Sequence, residues 1–285
     1  MTKHERLWEI SIPAKWSKSA GWTCLPNIDT LAISKVRTLE FSVPQEAMNK
    51  LTTLQLKFFP KVLAMVKSQK IAKFLDRLPS LVNLRMEFHD KDCPSRFELP
   101  EHRMVSLKHI IDELHPVHAT LEELDFAFGH CWYDSFMFNI DQPKLQRKPI
   151  SYRQFTGLRR LYLPPEVISI DELFSRVIPA NLQVLQFYGI NHELRCWLQT
   201  LPAQLHAIPN LESLVLCTWG WLEEEELEED ADSNVDPPEI DYGQVLNDFV
   251  KKFESVDIEL IILYDEDRGY DMEAIPNVEF AVELW

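Results

Sequence analysis

Apolar residues recur along the chain in a pattern of the form L-x-x-L-x-L. Six segments share one register, namely LVNLRMEF (81–88), LEELDFAF (121–128), LRRLYLPP (158–165), LQVLQFYG (182–189), LESLVLCT (211–218) and IELIILYD (258–265). Their first residues lie 40, 37, 24, 29 and 47 residues apart, and VRTLEFSV (36–43) fits as a seventh segment with Val36 in the first position. The alternation of apolar and polar residues predicts a β-strand in each segment.

The residues beside these strands provide two further signs. The second position is polar in five of six segments, which carry Val82, Glu122, Arg159, Gln183, Glu212 and Glu259 there. A proline precedes the strand in LPSL (78–81), IPANL (178–182) and IPNL (208–211). Because proline cannot continue a helix and favours an extended predecessor, these motifs indicate a change from helix to strand.

Helical spacing of apolar residues separates the strands. It occurs in four groups: Ile71, Phe74, Leu75 and Leu78; Met104, Leu107, Ile110, Ile111 and Leu114; Leu194, Trp197, Leu198 and Leu201; and Val245, Leu246, Phe249, Val250 and Phe253. Asp171 and Asn191 are suitable N-caps for helices that follow them. A strand and a helix that repeat together, each unit unable to bury its apolar face alone, predict a solenoid.

The LxxLxL strands, the intervening helices and the prolines together resemble leucine-rich repeat proteins of the irregular kind that follows an F-box in fungal and other eukaryotic proteins. The resemblance covers roughly residues 31–285 and implies an α/β solenoid with a curved parallel sheet of about seven strands, lined by helices. The asparagine or cysteine expected eight positions after each first residue is replaced by His89, Gly129, Glu166, Ile190 and Trp219. Irregular repeats with uneven curvature are therefore expected.

An F-box would recruit a cullin ligase adaptor, and the sequence shows no recognisable one. LPPEVI (163–168) resembles its opening, but Leu163 closes the strand that begins at Leu158, and DELFSRVIP (171–179) is interpreted as that repeat's helix. The first 30 residues contain WEISI (8–12), whose strict alternation predicts an edge strand. We therefore expect an N-terminal cap over 1–30 and a repeat domain over 31–285.

In this family the third, fifth and seventh strand positions face outward on the concave sheet. The predicted outward residues are Thr38, Glu40, Ser42, Asn83, Arg85, Glu87, Glu123, Asp125, Ala127, Arg160, Tyr162, Pro164, Val184, Gln186, Tyr188, Ser213, Val215, Cys217, Leu260, Ile262 and Tyr264. Our hypothesis is a protein or peptide partner on this face, bound by Arg85, Glu123, Asp125, Arg160, Tyr162, Gln186 and Tyr188. The alternative is that the chain's own VEFAVELW (278–285) covers the apolar second half.

Composition limits the kinds of ligand. The 285 residues include 45 acids and 29 bases, a formal charge of −16, which argues against nucleic acid binding. Eleven acids and no base lie between Glu223 and Asp241, and this composition predicts a disordered acidic insertion over 222–241. An alternative function follows, because acidic leucine-rich nuclear phosphoproteins, which this run resembles in part, bind histones. Such a protein would be a chaperone-like binder of basic proteins.

Catalytic and metal-binding signatures are not found in the sequence. The seven glycines form no GxGxxG or P-loop, and neither GxSxG nor HExxH occurs. Five cysteines without CxxC, and histidines without ligand spacing, predict no metal, no cofactor and no disulfide framework. No stretch approaches 18 apolar residues, so we expect no membrane contact and a cytoplasmic or nuclear location. The expectation is a non-enzymatic recognition protein, like a ubiquitin ligase substrate receptor.

Aromatic residues cluster after two of the strands. Trp132 and Tyr133 lie in GHCWYDSF (129–136), and Trp219 and Trp221 lie in TWGW (218–221). Two interpretations are open: a pocket at the rim of the sheet, or aromatic side chains that cover the end of the core.

Overall fold

The described strands of the chain pair into one parallel sheet. The structure is a computed structural model that describes residues 9–11, 29–36, 39, 45–58, 69–88, 107–128, 150–163, 174–188, 192–217, 250–253, 256 and 258–263. Within these ranges the strands are β1 (Glu9–Ser11), β2 (Thr30–Val36), β3 (Thr53–Phe58), β4 (Asn83–Phe88), β5 (Glu123–Phe128), β6 (Arg160–Leu163), β7 (Val184–Tyr188), β8 (Ser213–Cys217) and β9 (Glu259–Leu263). All pairings are parallel, and their order across the sheet is the order along the chain.

Short helices connect the strands on the described part of the chain. They are α1 (Gln45–Met48), α2 (Lys70–Leu75), α3 (Leu107–Glu113), α4 (Phe174–Val177) and α5 (His192–Gln204), with 3-10 turns at His115–Val117 and Leu205–Ala207. Residues 250–253 are also helical. The fold is therefore α/β, as the alternation in the sequence predicts. Within the described ranges, no helix is long and apolar enough to cross a bilayer.

A repeated hydrogen-bond pattern aligns the strands. At the start of each strand from β3 to β8, two successive N–H groups donate to one carbonyl of the preceding strand segment. The N–H groups of Glu122 and Glu123, for example, both donate to the Val82 oxygen, at 2.8 and 3.1 Å. The next strand repeats this with the Glu122 oxygen as acceptor. That carbonyl belongs to the residue at the second position. The side chain of this residue points away from the core, so polar residues are tolerated there.

The core lies between the sheet and the helices. Apolar residues at the first, fourth and sixth positions are buried in the five repeats that begin at Leu81, Leu121, Leu158, Leu182 and Leu211. Trp197 of α5 packs edge-on against Phe187 of β7, with ring centroids 5.8 Å apart. The proline-led turns are present: the Leu182 N–H donates to the Pro179 oxygen at 3.3 Å. Leu163 is buried as the last residue of β6, and α4 follows in the predicted place.

The first predicted repeat, VRTLEFSV, is wrong. Val36 is the last residue of β2 and pairs with Phe58, so it occupies the end of a strand and not its first position. The apolar positions of β2 are Leu31 and Ile33, which pair with Leu54 and Leu56. The predicted outward residues Thr38, Glu40 and Ser42 lie outside the described residues.

The structure also contains β3, which the sequence interpretation missed, although LTTLQLKF (51–58) matches the L-x-x-L-x-L pattern. With β1 at the edge, where WEISI predicts a strand, the described sheet has nine strands and not about seven.

The register of the last strand is wrong by one residue. Leu260 and Ile262 were expected to face outward, but they pair with Leu214 and Leu216, and Ile262 is fully buried. The Glu259 N–H donates to the Glu212 oxygen at 2.9 Å and so fixes Glu259 as the third position. A shift of one residue exchanges the two faces of a strand, so the outward residues are Glu259, Ile261 and Leu263. Tyr264 lies outside the described residues.

Candidate protein-binding surface

The seven candidate residues lie on one face of the sheet in adjacent strands. The third position aligns Glu123 with Arg160, and the fifth aligns Arg85, Asp125, Tyr162 and Gln186 in one row. Tyr188 occupies the seventh position of β7. The parallel register, set by the buried leucines, therefore brings together residues that span 103 positions in the sequence.

Asp125 is at the centre of a buried polar network. Its Oδ2 lies 3.4 Å from Arg85 Nε, and its Oδ1 accepts a hydrogen bond of 2.9 Å from the Tyr188 hydroxyl. The Arg85 contact is a close approach of charges and not an aligned hydrogen bond, since Nε has no hydrogen-bond partner within the described structure. Tyr188 reaches Asp125 past β6, a strand that ends at Leu163.

Burial is the largest cause of the pKa shifts of Asp125 and Tyr188 in this network. It raises the pKa of Asp125 from 3.8 to about 6, against the Arg85 charge and the Tyr188 hydrogen bond, which lower it. The charges of Glu123 and Glu87 add a smaller increase. Burial and then the Asp125 charge raise the pKa of Tyr188 above its ordinary value, so its hydroxyl remains a donor at neutral pH.

Two other ion pairs flank this network. Arg160 Nη1 donates to Glu123 Oε2 at 3.3 Å, and Lys57 Nζ lies 3.3 Å from Glu87 Oε2. Gln55 also donates to Glu87, at 3.1 Å. The sequence interpretation missed Gln55 and Lys57 because it missed β3, whose leucines were the available signal.

Two outward residues of β8 are buried, whereas the outward residues of β9 are half-buried or exposed. Val215 and Cys217 point outward from β8 by register, yet both are buried. Gln186 faces them, and its amide donates to Cys217 Sγ at 3.4 Å.

On the polar side, from β3 to β7, Glu87 and Asp125 are buried as well, so Asp125 is not positioned to contact a partner directly. The more exposed charged groups there are Lys57, Arg85 and Arg160. The segment 278–285, proposed as a cover, lies outside the described residues, as do Pro164, the acidic segment 222–241 and the four rim aromatic residues Trp132, Tyr133, Trp219 and Trp221.

Comparisons of the chain with family models, curated proteins and solved structures return no match. The described residues contain no group of three histidine, cysteine, aspartate or glutamate side chains placed to hold a metal ion.

Proposed function

We propose that this chain is an irregular leucine-rich repeat protein that recognises another protein through the polar side of its sheet, without catalysis. The observation that carries the proposal is the convergence of the seven candidate residues on one face. Arginine and tyrosine are enriched in the energetically dominant part of protein interfaces. The repeat assignment draws on the strand order and on the carbonyl that accepts two N–H groups at successive strands.

A substrate-receptor role, as in F-box leucine-rich repeat proteins, is the form of recognition that the sequence resemblance favours. A cullin adaptor among the bound proteins would support this role. If the protein binds partners but no cullin adaptor, the proposal that it recognises proteins stands, and the proposal that it works within a ubiquitin ligase is wrong.

Affinity purification from the native host tests the recognition proposal. We would compare the unmodified protein with an Arg160→Ala/Tyr162→Ala variant and with a control, Lys73→Ala/Arg153→Ala. Both control residues are exposed and lie off the sheet, in α2 and in the turn before β6. We expect bound partners to fall at least about tenfold in the first variant only, a size typical of interface anchors. Equal recovery of all partners by the three proteins would overturn the proposal.

A second candidate function is binding of basic proteins through the acidic segment. Its support is the run of 11 acids without a base between Glu223 and Asp241. Replacing those acids by glutamine and asparagine tests it, because the chain length is preserved. Loss of basic partners from that variant alone would favour this function over recognition by the sheet.

A further inference from the structure

The cations of the sheet face are more exposed than the acids that hold them. Side-chain exposure is 36% for Lys57 against 10% for Glu87, and 36% for Arg85 against 9% for Asp125. The third pair has 58% for Arg160 against 30% for Glu123. Each carboxylate thus lies beneath its cation, and the solvent side of the face presents ammonium and guanidinium groups.

The cations retain donors for a ligand. Within the described structure, Arg160 uses its Nη1 on Glu123 and Arg85 places its Nε against Asp125. A guanidinium has five N–H donors and an ammonium three, so most donors of all three cations remain available.

The three cations lie on a diagonal across the sheet. Lys57 is at the seventh position of β3, Arg85 at the fifth of β4 and Arg160 at the third of β6. With strands about 4.8 Å apart and residues about 3.3 Å apart, the diagonal from Lys57 to Arg160 is about 20 Å. An extended peptide of about seven residues spans that length, with its same-side residues about 6.7 Å apart.

We propose that this diagonal binds an extended acidic peptide segment, with three of the carboxylates on its sheet-facing side in contact with Lys57, Arg85 and Arg160. The inference rests on the proposed recognition function and adds the chemical class of the partner. A short acidic peptide fits better than a polynucleotide. The chain's net charge of −16 repels a long polyanion more strongly than it repels a peptide that carries only three or four carboxylates.

The test is binding of a labelled seven-residue peptide with glutamate at alternate positions, measured by fluorescence anisotropy on the full chain. We expect Lys57→Gln/Arg160→Gln to weaken binding about tenfold, at roughly threefold to fivefold for each exposed charge. The matched control, Lys73→Gln/Arg153→Gln, removes the same number of exposed cations elsewhere and should bind as the unmodified protein does. Added salt should weaken binding.

The Glu123→Gln variant tests the proposal by an expected increase in peptide affinity. It removes the carboxylate that competes for Arg160, so the peptide should bind more tightly, which a misfolded variant does not do. Equal binding of a glutamine version of the peptide, tighter binding of a lysine version, or tighter binding of single-stranded DNA would overturn the proposal. If these peptides fail while the Arg160→Ala/Tyr162→Ala variant still loses its cellular partners, recognition by the face stands and only the acidic class is wrong.

Discussion

At Asp125, burial and charge act in opposite directions. The carboxylate is removed from water, and the charge of Arg85 and the hydroxyl of Tyr188 only partly offset this, so its pKa is about 6. A side chain in this state binds a proton more tightly in the folded protein than in the unfolded chain. The sequence predicts Arg85, Asp125 and Tyr188 on one face, but not their contact, because the hydrogen bond crosses the intervening strand β6.

The first prediction concerns the pH dependence of stability. Because the folded pKa of Asp125 is raised from 3.8 to about 6, the free energy of unfolding should increase as pH falls through that window. The gain attributable to this group is up to about 3 kcal/mol, and it is lost again as pH rises through 6. The Asp125→Asn variant has no carboxyl group at this position, so its free energy of unfolding should not show this pH-dependent gain. Denaturant unfolding of both proteins from pH 7.5 to 4 should show the difference, and parallel profiles would contradict it.

The second prediction concerns the hydroxyl of Tyr188. Tyr188→Phe removes a hydrogen bond to a buried carboxylate, so we expect unfolding at pH 7.5 to become easier by about 2 kcal/mol. At pH 4.5, where Asp125 is neutral, the loss should fall to about 1 kcal/mol. A double-mutant cycle with Asp125→Asn isolates the pair. A loss that is the same at both pH values, or in the Asp125→Asn background, would indicate a packing effect of the hydroxyl instead.

Among the elements, how well the sequence predicts a strand depends on how unevenly its apolar residues are distributed. In and just before β5 the apolar Leu121, Leu124 and Phe126 are separated by acids, so only one register buries them, and the prediction is confirmed. The segment ELIIL of β9 has apolar residues in succession, and both registers place some of them inward. The register is then set by the backbone pairing of β9 with β8, and this pairing cannot be predicted from the sequence of β9 alone.

The third prediction tests that register. Ile262→Ala should lower the free energy of unfolding by about 2–5 kcal/mol, because Ile262 is fully buried and its truncation leaves a cavity. Ile261→Ala removes the same atoms from a half-buried outward position, and we expect less than half that loss. Thermal unfolding of the two variants compares them directly. A larger loss at Ile261 would favour the register in which Ile262 faces outward.

On the scale of the whole molecule, the sheet face and the acidic segment act in opposite directions on an acidic ligand: the cations of the face attract it and the acidic segment repels it. The face presents cations outward, whereas the run from Glu223 to Asp241 supplies 11 of the acids behind the net charge of −16. A long-range field of that sign slows the approach of an acidic ligand, while the cations hold it at short range. Composition reveals the first effect, and the second follows only from the positions of Lys57, Arg85 and Arg160 in the folded sheet.

The fourth prediction separates the two effects. Replacing the 11 acids between Glu223 and Asp241 by glutamine and asparagine changes the formal charge from −16 to −5. Association of the glutamate peptide should then become several-fold faster at low ionic strength, because electrostatic steering acts mainly on association rates. The difference should largely vanish near 0.5 M salt, where screening acts within about 4–5 Å. Stopped-flow fluorescence measures both rates. A slower association would contradict the prediction, and a rate difference insensitive to salt would show that electrostatic steering is not its cause.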